Sequence, residues 1–220
     1  RGAVSCSPQG SAPCESHEDS MTSNTAEKPT AQLDRVTIRF AGDSGDGMQI
    51  TGNQFTDTTA KVGNDLATFP DFPAEIRAPA GTRAGVSGFQ IRFASGDIYT
   101  PGDTPDVLVA MNPAALKANM KWVKDGATII IDIDNFDNKH YKKAEYVEDP
   151  LHDDSLTGYN VVKAPISELS KNVAMMHGLD SKTAAKTKNQ FVAGLLFWLF
   201  NRDIVIGEDF LKRKFKKKPE

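Results

Sequence analysis

The sequence predicts an α/β domain, a Rossmann-like three-layer arrangement around a largely parallel sheet with one strand added. Three observations predict it. Short β-rich runs alternate with helical patterns along the chain. Two of those runs, "DVLVAM" (106–111) and "ATIIIDI" (127–133), are almost continuously apolar, as strands covered on both faces are. The first run, "RVTIRF" (35–40), leads directly into a glycine loop and then a helix.

The elements follow in order. After the first strand, apolar Met48, Phe55 and Val62 recur at helical spacing, so a helix is expected over 46–62, ended by Gly63-Asn64. "LATF" (66–69) reads as a strand stopped by Pro70. "PDFPAEIRAPAGTRAG" is too punctuated by Pro and Gly for regular structure and reads as a long loop, of the length that often carries function. "VSGFQIRFAS" breaks the alternation and is expected as an antiparallel addition or an edge strand. "DIYTPGDTP" is rich in turn residues. Asn112-Pro113 opens a helix through Trp122, because proline suits the first helical turn. "YNVVKAP" (159–165) is a further buried strand, and helices are expected at 165–177, 181–200 and 207–216. No internal repeat is present.

Residues 1–33 read as a disordered tail that is Ser-, Gly- and Pro-rich in its first part and has no apolar signal core, with Met21 as the natural start. Residues 34–205 form the expected domain. Residues 206–220, ending "LKRKFKKKPE", read as a basic helix and linker to a further domain.

Composition narrows the function. The 220 residues are 39% hydrophobic and 25% charged, with net charge −3, a balance unlike that of nucleic-acid binders. The only cysteines, Cys6 and Cys14, precede the domain, so its body supplies no thiolate for an iron–sulfur cluster, a zinc site or a catalytic nucleophile. Cysteine-free globular sequence fits a reducing, cytoplasmic location. The apolar stretch Phe191–Phe200 has ten residues where a membrane span needs about 20, and it is expected as a helix buried in the core or against a partner. "MM" at 175–176 reads as core filler.

The glycine loop contains Gly42, Asp43, Ser44, Gly45, Asp46 and Gly47. Strand, glycine loop and helix can cradle a phosphate. The order here is G-x-x-G-x-G rather than the dinucleotide G-x-G-x-x-G, and no Lys-Ser/Thr follows as a P-loop requires. Asp43, Ser44 and Asp46 are placed to cap the helix, where a carboxylate would repel phosphate. A tight turn that lets a neighbouring chain approach is the competing use. In the long loop, Arg77 and Arg83 flank "APAG" and suit either a bidentate clamp on an anion or ordinary surface ion pairing. The acidic stretch 132–154, with His140 and His152, lacks the ligand spacing of a hard-metal site and reads as a solvated connection; no metal site is expected. No Ser-His-Asp or Cys-His set can be assembled, and His177 reads as a helix-terminal cap.

Three segments together, "RFAGDSGDGMQITGNQF", "TFPDFPAEIRAPAGTRAGVSGFQIRF" and "DVLVAMNPAALKAN", resemble the 2-oxoacid:ferredoxin oxidoreductases, in particular the gamma domain at the N-terminus of the alpha subunit of the 2-oxoglutarate type. The resemblance covers roughly residues 34–220. It implies a complete enzyme that oxidatively decarboxylates a 2-oxoacid with thiamine diphosphate and Mg, passes electrons through an iron–sulfur cluster to ferredoxin, and transfers the acyl group to coenzyme A. None of these cofactors would be bound by this chain alone, and the isolated chain would be inactive. The implied partners are a beta subunit, ferredoxin, the 2-oxoacid and coenzyme A, with no nucleic acid and no membrane. Gly42–Gly47, Arg77 and Arg83 would face the active-site approach or coenzyme A. The alternative is a stand-alone coenzyme A- or nucleotide-binding module, or a structural assembly module without catalysis.

Overall fold

In a computed structural model, residues 31–75 and 77–216 are described; residues 1–30 of the expected 1–33 tail and the last four residues lie outside them. Leu33–Glu220 is one compact unit. Six strands form a mixed sheet: β1 (Arg35–Asp43), β2 (Asp65–Asp71), β3 (Val86–Ala94), β4 (Val107–Ala110), β5 (Thr128–Asp132) and β6 (Asn160–Ala164), in spatial order β2-β3-β1-β4-β5-β6. β1, β4, β5 and β6 are parallel, and β3 lies antiparallel between β1 and β2.

The two sheet faces alternate in sequence and in environment. Val36, Ile38 and Phe40 of β1 and Val107 and Val109 of β4 point into one core. There they meet Met48 and Phe55 of α1 (Met48–Lys61) and Val192, Leu196 and Phe197 of α6 (Lys188–Leu199). Leu108 and Ala110 of β4 and Ile129 and Ile131 of β5 point the other way, against Ala115 and Leu116 of α2 (Pro113–Asn119). β4 is buried along its whole length, as its apolar run predicts. Asn112 caps α2 through a 2.8 Å bond from the Ala115 N–H, ahead of Pro113. A short 3₁₀ turn at Met120–Trp122 completes that helical stretch.

Some expectations change. β3 is interior, and β2 is the edge, so Pro70 sits inside β2 instead of stopping it; an edge strand tolerates a missing donor. β6 is the other edge and is largely exposed rather than buried. The expected helix 181–200 is two helices, α5 (Ser181–Ala184) and α6. At the break the Thr187 hydroxyl donates back to the Ala184 carbonyl (2.7 Å) and meets Ser170 Oγ (2.8 Å), which competes with helical continuation. α7 (Ile204–Lys214) starts at an Asp203 cap, spans the expected boundary at 205/206, and packs on α1. Met175 (46% exposed) and Met176 (85%) are not core filler. α4 (Ile166–Met176) buries Ile166, Ser170 and Ala174, and its outer face carries the methionines with Leu169 and Val173. His177 is the C-cap of α4. In the acidic stretch, α3 (Asn138–Lys143) is capped by Asp137, which accepts the His140 N–H.

Candidate functional site

The chain reverses its winding between β1 and β4. After β1 it passes through α1, β2 and β3 on one side; after β4 it continues outward through β5 and β6. In sheets of this kind the crevice at the carboxyl ends of the two diverging strands is where ligands bind. The residues that end β1, β4 and β5 here are Asp43, the Ala110–Asn112 segment and Asp132.

The glycine loop closes on itself. The Asp46 N–H donates to the Asp43 carbonyl (2.9 Å), and Asp46 Oδ2 accepts the Asp43 N–H (3.0 Å). Gly42 has to be small, because a Cβ there would lie 2.8 Å from Asp46 Oδ2 and 3.2 Å from Met111 Cβ. Gly47 caps α1 with φ 77°, in the left-handed region, and contributes no side chain. The expectation that Asp43, Ser44 or Asp46 caps this helix is therefore corrected. Asp46 is drawn back to the strand end by the turn, and Asp43 points away to the long loop. Ser44 and Gly45 are the exposed tip of the turn.

Lys188, the first residue of α6, reaches this turn from the other side of the crevice. Its ammonium lies 2.6 Å from Asp46 Oδ1, and both side chains are largely buried. Burial pushes the Asp43 carboxyl above its ordinary value; the Gly81 N–H opposes this, the Asp46 charge adds to it, and Lys188 opposes it weakly. Asp132 is fully buried at the end of β5. It accepts the Ser167 N–H (3.1 Å), the Ser167 hydroxyl and Asn135 Nδ2 (2.8 Å). Burial raises its pKa too, against those hydrogen bonds. Among the described residues Lys188 thus pairs with Asp46 alone, while its charge weakly opposes the upward shift that burial imposes on Asp43 and Asp132. The carboxylate charge opposes an anion inside the turn itself.

The long loop folds over the turn. Asp43 accepts the Gly81 N–H with both oxygens, and Lys143 Nζ donates to the Ala80 carbonyl (3.0 Å). Arg83 is half-exposed and lies 3.5 Å from Glu145, a loose surface pair, while Arg77 is exposed. The two arginines belong to a loop anchored beside Asp43, but they do not converge on one point through any contact among the described residues. Asn135, Ser167 and Lys188 carry no signal in the sequence; Asp132 and Lys143 belong to the acidic stretch expected as a solvated connection, which is corrected here because Asp132 is fully buried at the end of β5. Asp132 carried the best signal, since a carboxylate that ends an apolar parallel strand sits at the crevice by construction. No group of His, Cys, Asp or Glu among the described residues is placed to hold a metal ion, and none of their helices is long and apolar enough to cross a membrane.

A doubly wound α/β domain with a polar, loop-covered switch point is the class that fold and site define. Residues 37–220 match the family model described as pyruvate ferredoxin/flavodoxin oxidoreductase, and the chain belongs to that family. It is 49% identical over 189 residues to 2-oxoglutarate oxidoreductase subunit KorA of Mycobacterium tuberculosis, covering 86% of this chain and 29% of that protein. The chain thus spans less than a third of that relative. Among solved structures it resembles 2-oxoglutarate:ferredoxin oxidoreductase from Magnetococcus marinus, solved with 2-oxoglutarate, coenzyme A and succinyl-CoA bound. The TM-score is 0.64 and the identity 28%, over 86% of this chain and 28% of that one. The gamma subunit of a keto/oxoacid ferredoxin oxidoreductase from Geobacter sulfurreducens shares the fold (TM-score 0.55, 17% identity, 81% of this chain and 85% of that one).

Proposed function

We propose that this chain is the gamma-domain part of the alpha subunit of a 2-oxoacid:ferredoxin oxidoreductase, acting on 2-oxoglutarate with a beta subunit as partner. In that reaction a 2-oxoacid and coenzyme A give acyl-CoA and CO2, and two electrons pass one at a time to ferredoxin. The observation that carries the reading is the 49% identity to KorA across 86% of the chain.

The family's cofactors fit this chain unequally. An iron–sulfur cluster needs thiolates, and residues 31–216 contain no cysteine. Thiamine diphosphate is held through a metal ion, and the described residues offer no ligand set for one. Coenzyme A fits better, because its phosphates suit guanidinium and ammonium groups. The loop anchored by Asp43 carries Arg77 and Arg83 at its exposed rim, with Lys143 bonded to its backbone. The chain's own contribution is to present these cations beside the switch point while the self-closed turn keeps the strand ends rigid. The exposed apolar face of α4 (Leu169, Val173, Met176) supports packing against another domain of the complex.

The test is the assembled enzyme with Arg77 and Arg83 both replaced by alanine. The expected result is a KM for coenzyme A raised about tenfold, with kcat for 2-oxoglutarate-dependent viologen reduction little changed. Full activity of a complex lacking residues 34–220 would overturn the reading.

A further inference from the structure

The opposite edge of the sheet carries a second polar feature. On the β2-β3-β1 half, the face turned away from α1 bears Thr37 and Arg39 of β1 and Gln90 and Arg92 of β3, where the same face of β4 and β5 is apolar. A loop, residues 95–104, lies across it. Gln90 Nε2 donates to the carbonyls of Pro101 (2.9 Å) and Gly102 (2.6 Å), and the Ile98 N–H donates to Asp65 (2.7 Å). Gly102 has φ 78°, and a Cβ there would lie 3.2 Å from both Arg92 Cδ and Thr37 Oγ1. The loop therefore sits as close to Arg92 as a backbone can.

Two adjoining cavities remain beneath and beside this loop, of about 320 and 350 Å³, and Arg35 and Arg92 line both. Arg92 faces Thr37 in the strand register, and Arg35 faces Ala94, so the two arginines are diagonal neighbours on one sheet face. Such neighbours stand on the order of 7–8 Å apart, where like charges repel. Among the described residues neither guanidinium has a carboxylate within ion-pair distance, although four aspartates line the same cavities. Asp106 is taken by Lys124 (3.0 Å) and the Thr37 N–H (3.0 Å), and Asp97 by the Tyr99 hydroxyl (3.1 Å). Arg92 gives one hydrogen bond to Thr100 (3.2 Å), and its buried Nε has no partner. A buried donor without an acceptor is costly, and the like charge of Arg35 beside Arg92 adds repulsion. A bound oxyanion between the two guanidiniums would relieve that repulsion.

We propose that this groove binds a small hydroxylated organic phosphate. The phosphate would lie between Arg35 and Arg92, in the bidentate geometry that guanidiniums offer oxyanions. Asp34 and Asp103, which line the groove without ion-pair partners among the described residues, accept the ligand's hydroxyl groups. This requirement for donors beside the anion favours a sugar phosphate over a bare ion. The groove lies at the amino end of β1, the far edge of the sheet from the Asp43 crevice, so it does not depend on the function proposed above.

Titration calorimetry on the full chain with ribose 5-phosphate, inorganic phosphate and ribose tests this. Ribose 5-phosphate should bind saturably, inorganic phosphate about tenfold more weakly, and ribose not measurably. Arg35→Gln and Arg92→Gln should each weaken ribose 5-phosphate by at least about tenfold, the loss expected for a charge-assisted hydrogen bond. Arg83→Gln, outside the groove, should leave it unchanged. Arg35 is exposed at the strand start, so its variant keeps the fold even where Arg92→Gln does not. Absence of saturable binding by either anion, or equal affinity in Arg35→Gln and the parent chain, overturns the proposal. Inorganic phosphate binding as tightly as the sugar phosphate overturns the roles of Asp34 and Asp103.

Discussion

The backbone N–H of Gly81 is shared by both carboxylate oxygens of Asp43, at 3.1 and 2.9 Å. One bond pair thus joins the last residue of β1 to the middle of the long loop. Asp43→Ala should free that loop while leaving the sheet intact, since Asp43 ends its strand. Amide exchange at Gly81 should rise by one to two orders of magnitude, and stability should fall by about 1–3 kcal/mol, the usual range for a lost charged hydrogen bond. Unchanged exchange at Gly81 would show that the loop's other contacts, Lys143 among them, hold it without Asp43.

Asp132 gives a pH prediction. Burial raises its folded-state pKa above 3.8, so the folded chain binds more protons than the unfolded chain just above that value. Stability contributed by Asp132 is therefore present at low pH and is lost as pH rises from 3.8 through the raised folded value. The stability difference between the parent and Asp132→Asn should fall across that window and level off above it. Urea unfolding of both chains from pH 3.5 to 8 measures this, and a difference that grows with pH would contradict the assigned cause.

Much of this fold was legible because its strongest signals are periodic. The apolar runs of β4 and β5, the Asn112-Pro113 helix start and the strand-loop-helix at residues 35–61 each follow from local spacing. Legibility failed where a neighbour decides the outcome. Pro70 stays in a strand because β2 has no partner on its outer side. Met175 and Met176 look like core residues, yet α4 turns its Ile166-Ser170-Ala174 face inward. The glycines do mark a tight turn, but its carboxylates serve Asp43 N–H, Gly81 and Lys188 rather than the helix end. Lys188 is 142 positions from Asp46, and no local pattern links them.

Close packing makes two glycines sharp tests, Gly52 of α1 against Phe89 of β3 and Gly207 of α7 against Phe197 of α6. A Cβ at Gly52 would stand 2.1 Å from the Phe89 ring, and one at Gly207 2.1 Å from the Phe197 ring. Both rings are buried in the main core and have little room to move. Gly52→Ala and Gly207→Ala should each cost about 1–3 kcal/mol despite alanine's better helix propensity, with a drop in Tm of several degrees. Gly45→Ala, where a Cβ meets nothing within 4 Å, is the control and should change Tm little.

Arg39 holds the polar half of the sheet together. Its buried guanidinium pairs with Asp71 at the end of β2, donates to Asn119 of α2, and lies 3.4 Å from Gln90 of β3. Lysine carries the same charge but cannot make these divergent contacts from one planar group. Arg39→Lys should therefore destabilise by about 1–2 kcal/mol, below the full cost of breaking a buried pair because Asp71 is part-exposed. Arg39→Met should cost more, since Asn119 and Gln90 then lose a buried donor as well. Chemical denaturation with an unchanged m-value would locate both effects in the folded state. Equal stability of Arg39→Lys and the parent would mean that the charge at position 39, rather than the forked geometry, supplies what this residue adds to the β2–β3 ladder.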